Sequence, residues 1–419
     1  MKVLITTSTF PATDSDKVPA FVKDQAIELK KRYPATEILI HAPHNHYART
    51  AKLVTGNRYY QEFRYHYFWP RRWELLTGRG IMPALHQNRL LYFQIPFLFV
   101  CQFFSLLSLT RKAQPDIIYA HWFTPQAITG ALVSKLTNTP MVFTTHASDV
   151  DVLRKVPFSK RVVNWVCNQA AAYTAVSERT AGRLKAFWGT SPINNDFSSK
   201  LNIIPMGIRL NSHPPTKNDI KATLAKYNLP RDKFFLLFIG RLAEIKGIKY
   251  LIQALPKLPE PDRQRLHLVI AGDGHIEPEL RHLAKQLKVT NLTFTGFVYG
   301  DDKYRLLALA DAICMPSIID GHGHREGLPV VIMEALAAGK PVLASNVAGA
   351  DGTIVSGQNG LVFAEKSVSS LAEAISIIMN MNQTDREAMK RKARQAAYKF
   401  DWGKIIPQYN RIFNEVARK

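Results

Sequence analysis

The amino-acid sequence predicts an α/β protein of two doubly wound domains facing each other across a cleft. Three observations carry this. Short apolar runs rich in β-branched residues alternate with longer helical patterns, in two separate series. A polar segment containing Pro and Asn, PMGIRLNSHPPTKND from Pro205, parts the two series. The chain has 419 residues, 46% hydrophobic and 21% charged, enough for two full cores and unlike a disordered, collagenous or coiled-coil chain.

In the first series the strands are Val3-Leu4-Ile5, Ile38-Leu39-Ile40, Ile117-Ile118-Tyr119, Met141-Val142-Phe143 and Ala172 to Val176. Their runs are continuously apolar, as expected of parallel strands covered on both faces. Between the first two, Phe21, Val22, Ala26, Leu29 and Tyr33 recur at helical spacing until Pro34 stops the pattern. The second series is Phe234 to Ile239, Leu266 to Ile270, Leu292 to Phe294, Ala312 to Cys314, Val342 to Ala344 and Leu361 to Phe363. Ligands are expected where strand carboxyl ends face the cleft.

The formal charge is +22, which favours anionic partners: nucleic acid, an acidic membrane or phosphorylated substrates. Three widely spaced cysteines, Cys101, Cys167 and Cys314, form neither a zinc pattern nor a disulfide framework and suit a reducing compartment. The N-terminus reaches Asp14 and Asp16 without a long apolar core, so no signal peptide is expected and a cytosolic location is. From Leu90 to Thr110 the chain carries no charge, long enough for a membrane span. The expected strands on both sides of it would share one sheet, which cannot lie across a bilayer, so a buried or membrane-surface helix is expected instead.

Three segments carry chemistry. A strand ends at Gly240, followed by Arg241, Lys246, Gly247 and a helix; the glycine admits a ligand to the backbone, and two cations with helix N–H groups can neutralise a diphosphate. In Glu326-Gly327-Leu328-Pro329-Val330 and onward to Gly339, Pro329 fits the first helical position and Gly339 the residue past the end. Glu334 lies within that otherwise apolar helix, so its carboxylate needs a partner; a ribose diol would supply two donors, a core salt bridge being the alternative. Glu326 precedes the helix, where it and the N–H groups can face a sugar and a phosphate. In the first domain, His146 follows the strand Met141 to Thr145 at its carboxyl end, where it could contact a sugar. Asp149-Val150-Asp151 spells the metal-binding pair of another transferase class, against which the doubly wound architecture speaks, and His322 and His324 fall short of a zinc set. No metal and no cofactor is expected.

Taken in order, His146, Gly240-Arg241, Lys246-Gly247 and the Glu326/Glu334 pair resemble the retaining GT-B glycosyltransferases, or glycosyl transferases group 1. That family includes bacterial envelope-polysaccharide transferases and phosphatidylinositol mannosyltransferases. Further matches are Ala175-Val176-Ser177, Ile204-Pro205-Met206-Gly207, Gly272-Asp273-Gly274, Pro316-Ser317 and Phe400-Asp401-Trp402. The resemblance implies Rossmann-like domains over 1–208 (acceptor) and 209–400 (nucleotide sugar), with 401–419 crossing back to the first. It implies that Arg241 and Lys246 hold the donor diphosphate, Glu334 the ribose and Glu326 the donor sugar. Gly240, Gly327, Leu328 and Val330 would line the donor site, Gly296, Phe297 and Val298 border the base, and His146 lie near the anomeric carbon. Retention would follow from same-face attack, with the departing diphosphate helping to take the acceptor proton and no metal needed. The chain departs from the family at Ala147, where Gly is frequent, and at Phe10 to Ala20, where a Gly-rich turn is frequent.

The partners implied are a nucleotide diphosphate sugar and a glycan or lipid-linked glycan acceptor in bacterial envelope-polysaccharide synthesis. An anionic membrane surface is expected as well. Tyr59, Tyr60, Phe63, Tyr65, Tyr67, Phe68, Trp69 and Trp73 interleave with Arg58, Arg64, Arg71 and Arg72, a pattern suited to headgroups or, alternatively, to an aromatic core with solvated arginines. Arg64, Trp69, Arg71, Arg72 and Trp73 are the residues expected on that side. Competing classes are a nucleotide-sugar epimerase on the same fold, a basic nucleic-acid-binding protein, for which no binding module appears, and a dinucleotide oxidoreductase, whose Gly-x-Gly-x-x-Gly turn is absent.

Overall fold

The structure, a computed structural model, describes residues 1–12, 18, 20–45, 52–77, 80–146, 148–155, 158–188, 199–210, 215–321, 323, 325–350 and 352–418. Asp14, Asp16, Ala147, His322 and His324 lie outside the described residues, as does the side chain of Asp151. The chain divides into two compact units, Met1–Gly207 with Trp402–Lys419, and Ile208–Asp401.

The first unit is built on eight strands: β1 (Lys2–Thr6), β2 (Glu37–Pro43), β3 (Val54–Gly56), β4 (Gln61–Tyr65), β5 (Ile117–His121), β6 (Met141–Thr145), β7 (Ala172–Ala175) and β8 (Leu201–Ile203). Their order is β3-β4-β2-β1-β5-β6-β7-β8, parallel except where β3 runs against β4. The order turns outward in both directions from β1 and β5, so the crevice at their carboxyl ends is the topological switch point. Leu4, Ile118, Phe143, Val163 and Leu184 close the core against the helices. The last helix, Trp402–Ala417, buries Tyr409 and Phe413 against Tyr119 of β5, with ring centroids 5.8 and 5.1 Å apart.

The second unit carries β9 (Phe234–Ile239), β10 (Leu266–Ala271), β11 (Leu292–Gly296), β12 (Ala312–Met315), β13 (Val342–Ser345) and β14 (Gly360–Phe363), in the all-parallel order β11-β10-β9-β12-β13-β14. Here the switch point lies between β9 and β12. The unit's first helix, Lys217–Lys226, starts at a reciprocal cap in which Thr216 Oγ1 accepts from the Asp219 N–H and Asp219 accepts from the Thr216 N–H. At its far end the Ile208 N–H donates to Phe400 O at 2.8 Å, so the entering and leaving strands of chain run side by side.

The helical run Arg89–Ala113 is long and apolar enough to cross a membrane, and 28% of its most apolar window is buried. The strands that flank it, β4 and β5, lie in one open sheet, and such a sheet has no place across a bilayer.

Candidate functional site

In the second unit the site is assembled from loops at the carboxyl ends of β9, β12 and β13. Gly240 leaves β9, Arg241 reaches solvent, and a short turn Glu244–Lys246 ends in Gly247. Gly247 has φ +63°, and a Cβ there would lie 1.9 Å from Pro316 O in the loop after β12. Only glycine permits both the left-handed backbone and this approach across the switch point. A second such contact joins β13 to the site: a Cβ on Gly349, at φ +75°, would lie 1.6 Å from Gly327 O. The Glu326–Gly327 segment is thus pressed into position from behind.

These approaches bring Lys246 and Glu326 together, Nζ to Oε1 at 2.9 Å, with side chains 13% and 16% exposed. Arg241 is solvent-accessible, yet desolvation holds its guanidinium below its usual pKa while the Glu326 charge opposes the shift. That combination fits a cation standing in a concave surface beside its counter-charge. The helix Val330–Ala337 begins one residue later than its sequence suggests: Pro329 is the extended residue before it, because the chain turns helical only after the proline. Pro329 supplies no side-chain cap, which leaves the first N–H groups of that helix available to an anion.

Glu334 has the salt bridge weighed as the alternative to a ribose: Lys303 Nζ, from the helix Gly300–Leu309, lies 2.5 Å from Oε1. Its second oxygen, Oε2, is buried with no hydrogen-bond partner. A carboxylate with one oxygen paired and the other buried bare is poised to accept a donor. Phe297 stacks on Tyr299 at 6.0 Å, and Gly296 and Phe297 are half-buried, but Val298 points into the protein, so it can border a base only through its backbone. Gly240, Leu328 and Val330 are half-buried and Gly327 is buried.

In the first unit His146 directly follows β6. Its N–H donates to Asp149 Oδ1 at 3.1 Å, and the same carboxylate accepts from Thr145 Oγ1 at 3.0 Å and from the Phe123 N–H at 2.7 Å. Asp149 is therefore a buried organiser of two loops. His146 Nε2 meets His121 Nδ1 at 3.1 Å, and Phe21 and Trp122 pack on the His146 ring at 5.2 and 4.9 Å. Burial pushes the His146 pKa down to about 3, and burial followed by the neighbouring His146 drives His121 well below its usual value. Both rings are neutral, so one donates to the other. His121 and Lys303 escaped the sequence reading. The argument applied to His146, a histidine at a parallel strand's carboxyl end, holds for His121 too; Lys303 stands 31 residues from Glu334 and leaves no local signal.

Arg64 does not reach the surface. It is buried in β4, paired with Glu62 at 2.5 Å, and donates to Pro43 O and Phe10 O at 2.9 Å each. Tyr60, Tyr65 and Tyr67 are buried as well, so this part of the aromatic segment is core. Trp69, Trp73, Arg71 and Arg72 are exposed.

Residues 219–396 match the family model described as Glycosyl transferases group 1, and residues 59–212 match that of Glycosyltransferase Family 4. An uncharacterized glycosyltransferase of Methanocaldococcus jannaschii is 35% identical over 184 residues, 43% of this chain and 45% of that protein. The Bacillus subtilis glycosyltransferase TuaC, whose assignment to teichuronic acid biosynthesis is provisional, is 31% identical over 271 residues, 63% of this chain and 61% of its own length. The chain thus matches less than two thirds of either relative. The Anabaena protein Alr3699/HepE, crystallised with UDP-glucose, superposes with a TM-score of 0.72 at 18% identity, covering 99% of this chain and all of that one. The fold is GT-B, two parallel-sheet α/β domains. Over the matched residues the chain carries a Glycosyltransferase Family 4 domain followed by a Glycosyl transferases group 1 domain.

Proposed function

We propose that this chain is a retaining, metal-independent hexosyltransferase. It would move a hexose from a nucleotide diphosphate sugar to a glycan or lipid-linked glycan in bacterial cell-envelope polysaccharide synthesis. The observation that carries the reading is the Lys246–Glu326 pair beside Arg241 and the uncapped Val330 helix: cations and N–H groups for a diphosphate next to a carboxylate for a sugar. On this reading Lys246 exchanges Glu326 for phosphate oxygen, Glu326 turns to sugar hydroxyls, and Glu334 Oε2 accepts a ribose hydroxyl. The anomeric C–O bond to the diphosphate breaks, the acceptor oxygen bonds to that carbon from the same face, and its proton passes to the departing diphosphate. Arg241, Lys246 and helix N–H groups stabilise the leaving charge, the role a divalent ion fills elsewhere. His146, held neutral, hydrogen-bonds the sugar without adding charge.

A thermal-shift screen against nucleotide hexoses, with UDP-glucose first because HepE was crystallised with it, finds the donor; a specific ligand raises the melting temperature. Proton NMR of the product then reads the anomeric configuration. Retention without added divalent ion is expected. An inverted product or a strict need for added manganese overturns the mechanism, and sugar interconversion without acceptor identifies an epimerase.

The first unit is proposed to rest on the anionic inner face of a membrane. Leu90, Phe93, Phe97, Val100 and Phe104 stand exposed at alternating three- and four-residue spacing, one stripe along the Arg89–Ala113 run. Trp69, 83% exposed, and Trp73 lie with Arg71 and Arg72 on the segment bound to this run through Gln94 Nε2, which donates to Trp73 O at 2.7 Å. Apolar rings flanked by arginines fit an interfacial helix on anionic lipid. With about 1 kcal/mol per cation, Arg71→Ser with Arg72→Ser should weaken co-sedimentation with anionic vesicles roughly 30-fold. Equal binding to neutral and anionic vesicles, or none to either, overturns this placement.

A further inference from the structure

The first unit holds a cluster of metal-ligating groups that the transfer chemistry does not use. His44 and His66 each directly follow a strand, β2 and β4, and the parallel register pairs the last residues of those strands, Pro43 with Tyr65. The two histidines therefore emerge side by side, their rings 4.5 Å apart. Glu74, on the segment just beyond the turn Arg71–Trp73, comes back to them fully buried. Glu74 Oε2 lies 3.0 Å from His44 Nδ1 and 2.9 Å from His66 Nδ1, and one ligand atom from each of the three residues lies within 4.8 Å of the others.

We infer that His44 Nδ1, His66 Nδ1 and Glu74 Oε2 form a zinc-binding site, distinct from the nucleotide-sugar site and independent of its assignment. Two imidazole nitrogens and one carboxylate oxygen are a ligand set that zinc accepts, with water in the fourth position. Tetrahedral bonds of about 2.0 to 2.1 Å set ligand atoms roughly 3.3 Å apart, so the two short contacts need to open by only a few tenths of an ångström. The ion takes the place of the Nδ1 hydrogens, which move to Nε2 or, from an imidazolium, to solvent.

The surroundings are those of a built ligand set. Glu74 Oε1 is held by the Tyr67 N–H at 2.8 Å and the Phe68 N–H at 3.3 Å and lies 3.1 Å from His66 Nδ1, while Oε2 faces both imidazoles. His44 is fixed on both sides: its N–H donates to Tyr65 O at 2.7 Å, and Thr77 Oγ1 donates to its carbonyl at 3.0 Å. The buried carboxylate has no Lys or Arg partner among the described ion pairs, only the two histidines. A divalent cation would neutralise a charge that is costly to bury. The bound ion would tie β2, β4 and the Arg71–Trp73 turn together, fixing the segment that displays Trp69 and Trp73. Because β2 and β6 are three strands apart in the sheet, this site is roughly 14 Å from His146 at ordinary strand spacing.

The test uses the full chain, stripped with chelator and dialysed, then titrated with Zn²⁺ in competition with a chromophoric chelator. One ion per chain is expected. His66→Ala, at the half-buried edge of the cluster, should bind more than about 100-fold more weakly, beyond the range usual for losing an outer-shell partner. His322→Ala with His324→Ala should bind as the unchanged chain does. Zinc should raise the melting temperature of the unchanged chain and not that of His66→Ala. Glu74→Gln should lose the ion too, and His66→Ala decides the matter if that variant does not fold. Less than one fifth of an ion per chain, on the order of contamination against a full site, or affinity unchanged by His66→Ala, overturns the assignment. Neither result bears on whether the chain transfers a sugar.

Discussion

Lys246→Ala should cost the chain roughly 150-fold in affinity for its nucleotide sugar. The side chain sits 2.9 Å from Glu326 with both groups largely removed from water. On the proposed reading its loss deletes a charge-assisted contact to the diphosphate, on the order of 1.5 to 3 kcal/mol, and leaves Glu326 without its nearest cation while facing an anion. Together these put the effect at about 3 kcal/mol. Glu334→Gln should lose about 1.5 to 3 kcal/mol of donor affinity, since the amide accepts a ribose hydroxyl less well and its Lys303 partner is left facing a neutral group. Glu326→Ala and His146→Ala should instead leave donor affinity within a few fold and reduce kcat, because on the proposed reading they would contact the sugar and not the nucleotide. Calorimetric titration of each variant with the donor checks the split, and unchanged affinity in both Lys246→Ala and Glu334→Gln refutes the site.

The same residues show how far a sequence can be read. The central strands β9 and β10 of the second unit are legible because each is apolar on both faces: Phe234–Ile239 and Leu266–Ala271 are almost wholly buried. β4 was not legible. Its sequence, Gln61-Glu62-Phe63-Arg64-Tyr65, alternates in a way that suggests exposure, but Glu62 and Arg64 are both buried and satisfy one another inside the sheet. Charge pairing replaced apolarity as the condition for burial, and pattern reading takes charges for surface. The edge strands β3 and β8, three residues each, are too short to show a period. In the site, segments with local chemistry were legible: glycine before a helix, a carboxylate in an apolar helix, a histidine after a strand. What depended on tertiary approach was not, as with Lys303 against Glu334, His121 against His146 and Gly349 against Gly327.

Acid should begin to destabilise the first unit before the usual carboxylate range is reached. Three of its histidines, the buried His41 and His121 and the half-buried His146, are held as neutral rings. Burial pushes His41 and His146 down to about 3 and drives His121 well below its ordinary value. His41 contacts Thr6 Oγ1 at 3.1 Å and Ser105 Oγ at 3.0 Å, and burial alone disfavours its charged form. In the unfolded chain each titrates near 6.5. Between that value and about 3 the unfolded state binds protons that the folded state refuses, so stability is complete above about pH 6.5 and falls as pH is lowered. The slope is about 1.4 kcal/mol per pH unit for each ring, or about 4 kcal/mol per unit for the three. A domain with about 5 kcal/mol of stability would then unfold near roughly pH 5, and one with about 15 kcal/mol only near pH 3 or below. All six tryptophans, Trp69, Trp73, Trp122, Trp165, Trp188 and Trp402, belong to this unit, so their fluorescence during urea unfolding reports it alone. Self-repulsion at a net charge of +22 pulls in the same direction, but salt screens surface charge and leaves buried rings unaffected. The steep slope should therefore survive at about 0.5 M salt, where the Debye length is below 8 Å, and His41→Gln should flatten it by about one proton. Stability unchanged between pH 7.5 and 5, or a slope abolished by salt, would mean that the rings are not buried neutral.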